Sequence, residues 1–279
     1  MTTGIGTMAF AGGSVLVVPY VRANATVAAY PNVLRNVGLA IFLVLVIGAF
    51  VLRDPPDEWL SSVEEESAND EGLATPLQGR NYTTREMLKT WQFWLLYAMF
   101  ISAAGADLIL IANIVRFAEH LGLAAIVATT SATLLPVAAG VSRLLLGETS
   151  DRFDRKRIMI ISFLLAGILR LGLIVAGVGS ASIVFVALLM AAMFFSSPLY
   201  VYFPAILADY YDTEFSSGNY AVLYTANVGG GVFAGTVTGF LVTTLGWIPA
   251  FAIGGGLAIA AGLGGVVLQA PKDSEEQVA

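Results

Sequence analysis

Phe215–Pro271 reads FSSGNYAVLYTANVGGGVFAGTVTGFLVTTLGWIPAFAIGGGLAIAAGLGGVVLQAP and contains no Asp, Glu, Lys or Arg. A helix crossing a bilayer takes about 20 mostly apolar residues, so this run is long enough for two. The natural division between them is the aromatic turn Leu245-Gly246-Trp247-Ile248-Pro249. A second charge-free run, Leu171–Ala208, precedes it. The whole chain, 279 residues, is 57% hydrophobic and only 12% charged, with a mean hydropathy of +0.79. Soluble domains carry about 25% charged residues. A β-barrel would alternate apolar and polar residues over roughly ten-residue segments, which these continuous runs do not. The sequence therefore predicts an all-α, polytopic membrane protein whose first partner is the lipid bilayer.

Hydropathy places about eight spans, at 5–22, 35–52, 91–115, 123–146, 158–177, 181–206, 219–244 and 248–269. Between the second and third lies a polar segment in which Asp54–Glu71 holds eight acidic residues and no Lys or Arg. Such a composition buries no core and reads as a solvated linker. Arg53, Arg80, Arg85, Lys89, Arg152, Arg155, Lys156, Arg157 and Lys272 fall on one side of the predicted membrane, against Arg35 and Arg116 on the other. The positive-inside rule makes the first side cytoplasmic, with both termini there. Spans one and two, and again seven and eight, pair a glycine-rich helix with an aromatic turn, a faint internal repeat of the kind transporters use.

Other classes are disfavoured. A net charge of −6 offers no basic surface for nucleic acid. With no cysteine and a single His120, there is no disulfide, zinc or His-rich metal site to expect. HExxH, GxGD and GxSxG are absent, and Met1-Thr2-Thr3 lacks the positive start of a signal peptide. No enzyme activity, cofactor or catalytic residue is expected.

The most specific string is Gly147–Arg157, GETSDRFDRKR, after the fourth span. It resembles the signature loop of the major facilitator superfamily, about G-x-x-x-D-R-x-G-R-[KR]. Gly147, Asp151, Arg152, Arg155 and Lys156 match, while Asp154 stands where the family has Gly, a position expected to need positive φ. By that resemblance the glycine allows close helix approach, the carboxylate sits at a helix N-terminus, and the arginines hold a cytoplasmic gate. Three further segments resemble the oxalate/formate antiporter-like branch. They are Arg53–Trp59 with its Pro-Pro-x-x-Trp, Asn81–Ala98, and Phe203–Tyr211 with Gly218-Asn219-Tyr220.

The resemblance maps residues 1–53 onto the last two helices of a six-helix half, 54–89 onto the linker, 90–270 onto a whole second half, and 271–279 onto a cytoplasmic tail. The first four of twelve helices have no counterpart. Three readings remain open: a piece of a longer sequence, a second chain supplying those helices, or a membrane protein that does not transport alone. The function implied is secondary active transport of a small organic solute, a carboxylate above all, with a proton or counter-solute.

Polar residues within spans are the site candidates, because a charge at the bilayer centre costs about 2.5–3.5 kcal/mol on insertion scales. Asp107 in span three can bind a coupling ion or solute, or pair structurally, and Arg170 in span five is structural or coupling. Tyr220, Tyr224, Asn227 and Gly231 form one helical stripe in span seven, and Ser196, Tyr200 and Phe203 another in span six. Gly231, Gly235 and Gly239 form a stripe of small residues, expected to pack a neighbouring helix, with a similar stripe in span four as its candidate partner. Oxalate carriers of the branch place an Arg in the eighth helix and a Lys in the eleventh. Span seven here has no basic residue, and Arg143, by its closeness to the signature loop, is expected at the cytoplasmic edge. An oxalate specificity is thus not supported by the sequence, and a monocarboxylate or neutral solute is at least as good an expectation.

Overall fold

The computed structural model describes residues 17, 20, 21, 23, 24, 26, 28–51, 81–211 and 215–271. The span expected at 5–22 lies almost wholly outside these residues, as do most of the acidic linker with its Pro-Pro-x-x-Trp stretch, and the tail from 272. Among the described residues seven helical segments are long and apolar enough to cross a membrane. They correspond to spans two through eight.

The chain forms two compact units. In the unit within Leu16–Gln78, α1 (Tyr30–Val51) buries only Val33. Phe42, Leu45 and Phe50 are exposed on it, as suits a helix whose solvent is lipid.

The main stretch of the other unit begins at Gly79. Its chain enters through a capping box at the short α2 (Thr84–Met87), where Thr83 Oγ1 accepts from Glu86 N and Glu86 Oε2 accepts from Thr83 N at 3.0 Å. Thr90 then caps α3 (Trp91–His120) by accepting from Phe93 N. With 30 residues, α3 is about 45 Å long and lies at the centre of the unit. There follow α4 (Ala125–Arg152), α5 (Arg155–Val178), α6 (Ser182–Ser196), α7 (Leu199–Tyr211), α8 (Ser216–Tyr224) and α9 (Ala226–Val232). A π-helical turn at Phe233–Val237 leads to α10 (Thr238–Leu245), and α11 (Trp247–Val267) ends the bundle.

Helix α11 lies between α3 and α5, and glycine makes this possible. Gly255, Gly262 and Gly265 face α5, whereas Gly254 and Gly264 face Ile109 and Met99 of α3. A Cβ at Gly167 of α5 would stand 2.7 Å from the Gly255 carbonyl oxygen. In lipid, where apolar burial between helices drives little, such close backbone approach supplies the packing energy. Two aromatic stacks fill the layers above and below: Phe100 on Phe203 at 4.7 Å, and Phe117 on Phe251 at 3.8 Å. The π-helical turn disturbs the backbone ladder, and polar side chains take up its carbonyls. Thr238 Oγ1 donates to Phe233 O at 2.6 Å, and Asn113 of α3 donates to Ala234 O at 3.4 Å.

Three expectations are corrected. The signature segment is hardly a loop: α4 runs through Arg152 and α5 starts at Arg155, leaving Phe153 and Asp154 between. Asp154 does not need positive φ. At φ −58° it is the N-cap of α5 and accepts from Arg157 N at 3.0 Å, a role that suits Asp better than Gly. The Gly231, Gly235, Gly239 stripe does not pack either, since a Cβ at any of them meets no described atom within 4 Å. The close approach belongs to Gly230, whose Cβ would fall 2.8 Å from Ala104. Successive helical residues differ by about 100° in direction, so a Gly230 turned onto α3 carries Gly231 away from it. Nor does α4 pack chiefly on α8–α10; its main partners are α6 and α3.

The glycine seam yields a paired prediction. Gly167→Ala should destabilise the protein by about 1–3 kcal/mol, because the carbonyl it meets is backbone and cannot move aside. Gly239→Ala should be neutral or slightly stabilising, having open space and a better helix former. Thermal unfolding in detergent reads both.

Candidate functional site

The span that begins at Ser182 and ends at Tyr211 is broken at its middle. Ser197 and Pro198 separate α6 from α7, and proline has no N–H to continue the helical ladder. The two serines at this break each meet an arginine from a different helix. Arg170 of α5 donates from Nη2 to Ser196 Oγ at 2.9 Å and, from the same nitrogen, to Asp107 Oδ1 of α3. Arg143 of α4 donates from Nε to Ser197 Oγ at 3.0 Å. Arg143, Arg170 and Asp107 are all buried, at 5%, 3% and 3% exposure. Arg170 Nε and Nη1 have no hydrogen-bond partner among the described residues, so its link to Asp107 and Ser196 runs through one nitrogen.

Beside Arg143 stands a wall of aromatic rings. Its guanidinium carbon lies 5.0 Å from the Tyr200 ring centroid, within the range of a cation–π contact. The Tyr200 hydroxyl donates to Asn227 Oδ1 at 3.3 Å. Tyr224 is 6.2 Å from Tyr200 and 5.7 Å from Tyr220, ring to ring, and Phe100 meets Tyr200 and Tyr224 edge-on at 6.1 Å. Tyr224 is 41% exposed. The wall thus combines one cation, one amide and three phenols on a surface that opens outward from the bundle.

A second charged cluster lies at the end of the unit where α4 meets α5. Arg155 bridges two helices, reaching Asp209 of α7 at 2.6 Å and Asp151 of α4 at 3.4 Å. Arg152 pairs with Glu148 at 2.5 Å along the same helix. Lys156 donates to the Leu268 carbonyl oxygen at the end of α11. The matched residues Asp151, Arg155 and Lys156 therefore tie α4, α7 and α11 together at one end, and Gly147 is buried within α4.

Residues 95–278 match the Major Facilitator Superfamily. The chain belongs to that superfamily. It is 30% identical over 217 residues to the oxalate:formate antiporter of Oxalobacter formigenes, an alignment covering 77% of this chain and 49% of that protein. It is 26% identical over 188 residues to the uncharacterized MFS-type transporter YhjX of Escherichia coli strain K12, covering 67% of this chain and 44% of the relative. The chain spans about half the length of the curated relatives it matches.

Within this superfamily fold, Tyr200, Tyr220, Tyr224 and Asn227 come together from two different spans, while Ser196 and Phe203 of the span-six stripe turn to Arg170 and Phe100. Asp107 and Arg170 pair with each other, the structural alternative that the sequence left open, and Asp107 is enclosed behind the break. The expectation for Arg143 is corrected. Because α4 continues as helix through the signature segment to Arg152, Arg143 stands about 13 Å inside the helix end and not at its edge. The usable signal was its place in the eighth helix of the family pattern; linear distance to the loop concealed it. Asp209 lies inside the quoted Phe203–Tyr211 stretch, but its pairing with Arg155 was not foreseen.

Breaking the enclosed pair should be costly. Asp107→Asn leaves a buried guanidinium uncompensated and should destabilise the protein by about 3–5 kcal/mol. The double variant Asp107→Asn, Arg170→Gln removes both charges and should recover most of that loss in thermal unfolding.

Proposed function

We propose that the chain takes part in secondary active transport of a small organic anion, a monocarboxylate, by alternating access. The observation that carries this reading is Arg143, a cation within the apolar bundle, held by Ser197 and set against Tyr200. A carboxylate is recognised by a guanidinium fork, and its C–H or short carbon part packs on Tyr220 and Tyr224 while Asn227 and Tyr200 supply hydrogen bonds. One negative charge suits this surface better than two, since Phe215–Pro271 brings no second Lys or Arg to it. The name of the Oxalobacter formigenes relative supports carboxylate exchange, with a counter-solute as the coupled species.

In this reading Asp107 and Arg170 do not touch solute. They hold the break at Ser196 and so keep its neighbour Ser197 in place to orient Arg143. The division at 1–53, 54–89, 90–270 and 271–279 serves as two helices, an acidic linker, a six-helix half and a tail. Both termini face the cytoplasm in the cell membrane, following the Lys/Arg bias. Gly147, Asp151, Arg152, Arg155 and Lys156 form the cytoplasmic gate, whose ion pairs open and re-form as the bundle rocks.

Binding to the purified chain tests the anchor. Formate should raise the thermal midpoint and oxalate should do so less. Arg143→Gln should abolish the formate shift, and Arg143→Lys should weaken binding about tenfold, because an ammonium lacks the planar fork. Unchanged binding by Arg143→Gln would remove the reading. The gate makes a separate prediction. Arg155→Ala should slow formate exchange in proteoliposomes while leaving its binding constant within about twofold, as a half-exposed ion pair adds little to stability.

A further inference from the structure

At the end of the bundle where α3 begins and α11 finishes there is a cavity of about 330 Å³, lined by Tyr82, Lys89, Thr90, Trp91, Gln92, Gln269, Ala270 and Pro271. Among the described residues no carboxylate lines it. We propose that this cavity binds the phosphate of an anionic phospholipid headgroup.

Four observations lead there. Gln92 is a polar side chain left 8% exposed, and its amide has no hydrogen-bond partner among the described residues. A buried amide normally finds a partner, so one that lines a cavity without one is a donor awaiting a ligand. Lys89 adds a cation that makes no ion pair among the described residues. The cavity also adjoins the N-terminus of the 30-residue α3, whose first-turn N–H groups lack intrahelical acceptors and carry the positive end of the helix dipole. Of those N–H groups the Thr90 cap takes only that of Phe93. The ligand is thus an oxyanion that accepts hydrogen bonds and carries negative charge.

The membrane position makes that oxyanion a lipid phosphate. Trp91 and Trp94, 52% and 54% exposed, lie in the first turn of α3, and exposed tryptophans at the end of a span sit at headgroup depth. The opposite wall, Gln269–Pro271, follows directly on the last turn of α11, so both spans end at the cavity. Lys156, bonded to the Leu268 carbonyl, keeps that wall in place and adds a second cation beside it. The position fits a lipid that clasps the entry of α3 to the exit of α11.

Native mass spectrometry of the detergent-purified chain, incubated with mixed phosphatidylcholine and phosphatidylglycerol, tests this. The wild-type chain should retain phosphatidylglycerol preferentially. The Lys89→Ala, Gln92→Ala double variant should lose that preference about fivefold, the scale of one or two basic contacts to an anionic lipid. Arg157→Ala, 81% exposed at the same end and outside the cavity, should keep it. Lys89→Ala alone alters only an exposed side chain, so a partial loss there reads the site even if the double variant folds poorly. Equal retention by wild type and by Lys89→Ala would overturn the proposal. So would displacement of bound phosphatidylglycerol by inorganic phosphate, since the ligand would then be a soluble anion. Formate binding, which depends on Arg143, should be unchanged in the Lys89 variant, which separates this site from the transport reading.

Discussion

Two guanidinium groups inside an apolar bundle set the terms for the rest of the structure. Each must be neutralised, hydrogen-bonded or brought to a wet surface, because isolated charge in a low-dielectric interior is costly. Arg170 is served by Asp107 and Ser196, and Arg143 is held at Ser197 against a tyrosine ring. Both contacts fall on consecutive serines at the one place where Pro198 interrupts a span. The interruption frees the backbone there and gathers α3, α4, α5 and the α6–α7 pair around it. The enclosed ion pair and the more open Arg143 wall are therefore two sides of the same break.

Around that centre the packing is unequal. Helix α11 is gripped by glycine contacts on both faces, and nearly half of its apolar window is buried. The span from Ser216 to Leu245 buries only 11% of its window and contains the π-helical turn. It nevertheless supplies Tyr220, Tyr224 and Asn227. In the proposed reading this wall is the solute surface, and a lightly packed span against a firmly packed core suits a transporter, in which one wall must shift relative to another. At the far end, Arg155 and Lys156 tie α4, α7 and α11 through bonds near the surface, which are easily broken and remade.

Spans two through eight were legible because bilayer thickness acts on each helix separately: a mostly apolar length is enough to find them. The tyrosine and asparagine stripe was legible for a similar reason, since residues spaced at helical intervals share a face whatever that face meets. Identity of the facing partner was not legible. Gly231, Gly235 and Gly239 have the spacing of a packing stripe, yet Gly230 makes the contact, because helix rotation is chosen by the neighbour. Asp154 looked like a weakened glycine because it was read against a pattern, whereas here it caps the next helix.

Arg143 shows the division most clearly. Sequence alone determined that this is a membrane-spanning helical protein, which residues face together along each span, and that few charges enter the bilayer. These follow from local composition and from the 3.6-residue period. Only the tertiary structure decided that α4 runs on through its signature segment, placing Arg143 within the bundle beside Tyr200, and that Asp107 answers Arg170 across 63 positions of chain. Pairing of charges in lipid is settled by which helices lie side by side, and no local pattern carries that information.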